Sequence, residues 1–313
     1  MQEGSRRAIF AAFFANLGIA IAKLVAFVLT GAASMLAEAI HSLADTGNQG
    51  LLFLGGSRSK RPADELHQFG HGRERYFWAF VVALVLFSLG AVFAVSEGVN
   101  KLIHPHQLED PTVAFAVLGV AMLLEGFSLR TAIREANPER RGRTWWRFIR
   151  TAKSPELPVV ILEDLGALLG LSFAVVGITL NVLTDEPAFD AIGSIAIGLL
   201  LGAIAVVLAI EMKSLLIGEA ASPEEQDAIR AAITADPDVL HIIHLRTQHL
   251  GPEELLVAAK VDLGARSSHD LALAIDALEV RVRAAVPTAR VIYVEPDEYR
   301  PDEPNEDPAE TMT

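Results

Sequence analysis

The chain has 313 residues, 51% of them hydrophobic, with a mean hydropathy of +0.36. That apolar weight excludes an ordinary soluble globular protein. The lack of cysteine excludes disulfides and thiolate metal sites, and no nucleic-acid partner is expected of a chain with net charge −13.

The apolar residues concentrate before residue 217, in runs long enough for helices that cross a bilayer. Six spans are predicted, at 8–30, 33–56, 76–102, 112–135, 157–181 and 188–212. Arg6 and Arg7 precede the first run without a small-residue cleavage site after a short core, so it is read as a retained helix. Basic residues cluster at the N-terminus (Arg6, Arg7), after span 2 (Arg58, Lys60, Arg61, Arg73, Arg75) and after span 4 (Arg140, Arg141, Arg143, Arg147, Arg150, Lys153). The other side offers Lys101 beside Glu109, Asp110, Asp185 and Glu186. Both termini are therefore expected in the cytoplasm of a multi-pass protein, assigned to a bacterial plasma membrane.

A soluble domain is predicted over 218–296 after a membrane domain over 1–217. Ser222 and Glu225 have capping-box spacing and open a helix to Ala235. A strand follows over 238–248, then a turn at Gly251-Pro252. A second strand over 256–263 places Val257, Ala259, Val261 and Leu263 on one face. A helix over 268–285 and a strand over 290–294 complete an α-β-β-α-β, ferredoxin-like α+β order. Residues 297–313, rich in Asp, Glu and Pro, are expected to form a disordered acidic tail.

The polar residues inside the spans carry the functional argument. A charge at bilayer depth costs about 2.5–3.5 kcal/mol even on lenient scales, so such groups face a bundle interior or a watery cavity. In span 2, Ser34, Glu38, His41, Asp45 and Asn48 fall within an arc of about 80° on the helical wheel. His41 and Asp45 lie one turn apart, and imidazole with carboxylate suits Zn(II) and neighbouring divalent metals. Interhelical hydrogen bonding is the alternative use of such a stripe. In span 5, Glu163 and Asp164 lie about 60° and 40° to either side of Val160, so both can face inward. His41, Asp45 and Asp164, with Glu163, water or another helix as a fourth ligand, would make a tetrahedral site. Gly166 and Gly170 would admit a neighbouring helix closely. Asn16, Lys23, Glu125, Asp190 and Ser194 are the other intramembrane polar groups. Lys23 would either neutralise a carboxylate, form a structural ion pair or snorkel; Asp190 would cap its own helix or fix the outer mouth.

After span 2, Asp64, His67 and His71 stand at i, i+3 and i+7 among glycines, either a second, cytoplasmic metal site or a solvated loop. His241, His244 and His249 do not share one strand face, and His104 and His106 flank Pro105 in an outer loop. No phosphate loop, nucleophile elbow or zinc-protease helix is present, so neither an enzyme nor an organic cofactor is expected.

These features resemble the cation diffusion facilitator family over residues 8–296. The resemblance rests on the spans, His41-x3-Asp45, Asp164, the loop His67-x-Phe-Gly-His71-Gly and the α-β-β-α-β domain. Ser34-Met35 with Glu38-Ala-Ile-His41-Ser-Leu-Ala-Asp45-Thr-Gly-Asn48-Gln49-Gly50, and Val160-Ile-Leu-Glu163-Asp164, are similar to the zinc transporter 9-like branch. The resemblance implies a homodimeric exporter that exchanges a divalent metal, Zn²⁺ first, for protons by alternating access. It implies His41, Asp45 and Asp164 as transport ligands and Asp64, His67 and His71 as a loop site. Val160 stands where most members carry a histidine, which makes Glu163 the candidate replacement. The last strand ends Glu295-Pro296 without the family's histidine, so the soluble domain is expected to dimerise rather than bind metal. Mn²⁺, Fe²⁺ or Co²⁺ as substrate, or a membrane-anchored metal sensor or scaffold without transport, are the alternatives.

Overall fold

The computed structural model of the protein describes residues 3–105, 111–264 and 267–301, with side chains from residue 16 onward except 86–88. The chain divides into two units, Met1–Arg61 with Glu74–Lys213, and Pro62–Arg73 with Ser214–Thr313. His106, Glu109 and Asp110 lie outside the described residues.

The first unit is helical: α1 (Glu3–Thr30), α2 (Ala33–Arg58), α3 (Glu74–Val85), α4 (Phe93–Ile103), α5 (Pro111–Arg140), α6 (Trp145–Thr151), α7 (Glu156–Thr184) and α8 (Ala188–Ile217). A π-helical segment, Leu86–Val92, joins α3 to α4 without a break. Among the described residues, four segments are long and apolar enough to cross a membrane: Glu74–Ile103, Pro111–Arg140, Glu156–Thr184 and Ala188–Ile217. The described apolar part of α1, Asn16–Thr30, is shorter. In α2, Glu38, Asp45 and Arg58 interrupt the apolar run.

The unit is apolar outside and polar inside. Val28, Leu43, Leu123, Phe127, Leu183 and Leu199 are more than half exposed, whereas Lys23, Glu38, His41, Asn48 and Asp190 are fully buried. Water would favour the reverse; a hydrocarbon surround favours this arrangement. Gly170 shows how closely the helices approach: a Cβ there would sit 2.5 Å from Oε1 of Glu38. Where α2 begins, Asp190 of α8 caps it from a neighbouring helix rather than capping its own. Its Oδ2 accepts from Ala33 N (2.8 Å) and Lys101 Nζ (2.9 Å), and its Oδ1 accepts from the Ser34 hydroxyl. Lys101 also donates to Gly31 O at 3.1 Å. The orphan amides of the α2 N-terminus and two buried charges thus satisfy one another.

In the second unit the order is α9 (Pro223–Thr234), β1 (Val239–Gly251), β2 (Glu254–Leu263), α10 (Ser268–Ala285) and β3 (Ala289–Pro296). Strands lie in the order β1-β2-β3, β1 antiparallel and β3 parallel to β2. Leu255, Val257, Ala259 and Val261 alternate along β2 and form one core with Ile229 and Ile233 of α9 and Leu278 and Val282 of α10. The Ser222–Glu225 capping box is formed. Both hairpin strands run longer than the sequence reading, because their pairing continues to the Gly251–Glu254 partners. The boundary drawn at 297 falls within a held segment: Asp297 N donates to Val261 O (3.0 Å), and Lys260 Nζ reaches Asp297 at 2.7 Å. That contact raises the Lys260 ammonium and lowers the Asp297 carboxyl from their ordinary ranges. Residues 302–313 of the expected tail lie outside the described residues.

Candidate metal sites

The polar stripe of α2 is buried along its length, from Ser34 through Glu38, His41 and Asp45 to Asn48. It meets Lys23 of α1 and Glu163 of α7, while Asp45 also lies within electrostatic reach of Glu125 on α5 and Asp164 on α7. Asn48 Nδ2 donates to Glu163 Oε1 at 2.8 Å, and Ser128 Oγ donates to Asp164 Oδ2 at 2.8 Å. His41 Nε2 and Asp45 Oδ2 are 3.5 Å apart without hydrogen-bond geometry. Both ring nitrogens of His41, Oδ1 of Asp45 and Oδ1 of Asn48 are buried with no hydrogen-bond partner among the described residues.

Native interiors rarely leave such atoms unmatched, since each costs about 1–3 kcal/mol. Of these four unmatched atoms one imidazole nitrogen carries the ring proton, which leaves three lone-pair atoms along one helix face, with Glu163 and Asp164 within electrostatic reach of Asp45, as a donor set suited to a borderline divalent ion. The sequence-predicted residues therefore share one buried interior, with Glu163 and Asp164 each fixed by one hydrogen bond. Their ligand atoms are not drawn together in threes. Among the described residues, the one such group with all atoms within 4.8 Å is Asp64, His67 and His71. Val160 packs among Ala132, Ala136, Phe148 and Ile161, an apolar cluster. Ser128 was missed by the sequence reading, although it stands three residues after Glu125 and so shares its helix face.

The loop site belongs to the second unit, a placement the division at residue 217 did not anticipate. The backbone of Gly72 lies against Leu250 and Gly251 at the β1–β2 hairpin end. Asp64 organises the loop. Its Oδ1 accepts from the amides of His67 (2.7 Å) and Leu66 (3.0 Å) and lies 3.2 Å from His67 Nδ1; its Oδ2 is 3.0 Å from His71 Nε2. The His67 amide, followed by the His71 ring, holds the Asp64 carboxyl well below the usual range, at about 2. Gly70, at φ +77, turns the chain so that the two imidazoles stand 4.4 Å apart. Two imidazoles and a carboxylate fit Zn(II) or a neighbour in the series. In the sheet domain, His241 stacks on Tyr299 at 4.5 Å, and among the described residues neither it nor His244 nor His249 joins a three-ligand group.

A family model described as the cation efflux transmembrane domain matches residues 9–217. The chain belongs to the cation efflux family. Its members are transporters, not enzymes. Curated relatives include the mouse proton-coupled zinc antiporter SLC30A9, mitochondrial, 33% identical over 78% of this chain and 43% of that protein. The Arabidopsis thaliana metal tolerance protein C4 is 30% identical over 83% of this chain and 57% of its own length. The Serratia proteamaculans cation-efflux pump FieF is 28% identical over 75% and 73%. The chain thus spans less than half the length of the SLC30A9 relatives it matches. Those relatives bear out the resemblance to the zinc transporter 9-like branch.

Proposed function

We propose that the chain is a secondary active transporter that exports a divalent transition metal, Zn²⁺, from the cytoplasm in exchange for protons. The observation that carries this reading is the buried stripe of α2, where His41 and Asp45 keep unmatched atoms and Asp45 lies within electrostatic reach of Glu163 and Asp164 of α7. In this reading His41, Asp45 and Asp164 hold the ion and Glu163 is the fourth ligand. Closing the site on the ion requires Asn48 and Ser128 to release or share Glu163 and Asp164. Metal binding needs a neutral imidazole and ionised carboxylates, so protons compete for the same atoms. Bare carboxylates at bilayer depth are costly, so an empty, unprotonated site resists crossing, which favours exchange over leak.

The reading includes six crossings, with α1 and α2 completing the four apolar segments, and both termini in the cytoplasm of a bacterial plasma membrane. It also includes a ferredoxin-like sheet domain that joins two copies of the chain. The names of the SLC30A9 relatives support zinc and proton coupling. Purified protein in sealed liposomes tests it: zinc flux should follow an imposed pH gradient, and flux indifferent to that gradient contradicts proton coupling. Manganese, iron and cobalt run in parallel identify the substrate. One observation favours the sensor reading, the assembled Asp64–His67–His71 group; zinc binding without flux would select it.

A further inference from the structure

Beside the proposed ligands lies a second charged group that metal binding does not use. Lys23 and Glu38 are both fully buried, 2.9 Å apart, and Lys23 also donates to Ser42 Oγ at 2.7 Å. Only Oε2 of Glu38 is engaged. Oε1 is buried, has no hydrogen-bond partner among the described residues, and faces Gly170, where a Cβ would leave it no room. A purely structural ion pair at this depth would be expected to have both carboxylate oxygens satisfied, because the half-bonded anion carries an uncompensated desolvation cost. The charged and titratable groups that face the pair are His41 and Asp45 on α2 and Glu125 on α5; Glu163 and Asp164 on α7 lie within electrostatic reach of Asp45. Lys23 is within electrostatic reach of Glu38, His41, Asp45 and Glu125.

We propose that Glu38 is a proton-binding residue of the exchange cycle, separate from the metal ligands, and that Lys23 is a counter-charge shared between Glu38 and those ligands. The inference rests on the transporter reading above. With the dication bound, Glu38 is ionised and neutralised by Lys23. When the dication leaves, one proton from the receiving side forms an O–H bond at Oε1, and no protein bond breaks. The ammonium, no longer neutralised, then compensates the carboxylates the metal has left. A returning dication repels the ammonium back onto Glu38, which releases its proton to the cytoplasm. The pair thereby moves a proton without occupying a ligand atom.

Removing one partner alone leaves a buried charge and endangers folding, so the decisive variant is the double one, Lys23→Met with Glu38→Gln, which keeps the net charge. Zinc flux and internal pH are followed together in liposomes containing the full chain. The double variant should bind zinc as tightly as the parent or more tightly, because the cation that competes for the ligand carboxylates is gone, and should move about one proton fewer per zinc. An unchanged proton count makes the pair structural and overturns the inference, leaving the transporter reading intact. A zinc affinity lower by about tenfold or more puts the pair in the metal site and also overturns it. A parent that binds zinc and carries none overturns the transporter reading and this inference together.

Discussion

Lys101→Met tests how the bundle holds the start of α2. Lys101 and Asp190 are fully buried and 2.9 Å apart, so deleting the ammonium strands a carboxylate away from water. Breaking one side of a buried pair costs about 3–5 kcal/mol. Here Asp190 keeps the Ala33 amide and the Ser34 hydroxyl, which holds the cost toward the lower end. Gly31 O loses its donor as well, adding about 1 kcal/mol. The sum is about 4 kcal/mol. At about 2–4 °C per kcal/mol, the melting point should fall by roughly 8–16 °C, read by tryptophan fluorescence of the purified protein in detergent. Adding Asp190→Asn removes the stranded charge while leaving an acceptor for Ala33, so the double variant should regain about half the loss. A single variant as stable as the parent, or a double variant as unstable as the single, would refute this reasoning.

Val160→His places an imidazole one turn before Asp164, and the transporter should then favour zinc over manganese more strongly; an unaltered preference in a competition flux series would count against a ligand at that position. Gly70→Ala strains a backbone held at φ +77 by about 1–2 kcal/mol, so zinc binding at the loop should weaken about 5–30-fold by calorimetry, with flux through the bundle as the comparison. Because the folded state holds Asp64 at about 2, below its unfolded value, its contribution to loop order is fully present above the ordinary carboxylate range. That contribution is lost as pH falls toward 2. Protection of the Leu66 and His67 amides from exchange should therefore persist from pH 7 to about 5 and be lost progressively from about 4 toward 2; loss at neutral pH would contradict the carboxylate's role.

The α2 stripe was legible in the sequence because helical periodicity and the cost of burying charge are both local rules. So were the α-β-β-α-β order and the Ser222–Glu225 box, which need only alternation and cap spacing. What stayed hidden depends on partners distant in the chain. Asp190 caps a helix 157 residues away, and nothing near Asp190 distinguishes that from capping its own helix. The pairing of Lys23 with Glu38, and the seat of Gly72 on the β1–β2 hairpin, are long-range facts of the same kind. The helix α6, seven residues opened by Thr144, is too short for periodicity to reveal. The π-helical segment within Glu74–Ile103 has no sequence signal that hydropathy could separate from ordinary helix.

The central claim is that His41, Asp45 and Asp164 jointly hold one divalent ion within the bundle. Equilibrium zinc binding to a variant with Asp64, His67 and His71 all replaced by alanine tests it most directly. The variant should bind about one zinc per chain, and that zinc should be lost when Asp45→Ala or Asp164→Ala is added. Binding that survives both additions, or that disappears with the loop substitutions alone, would contradict the claim.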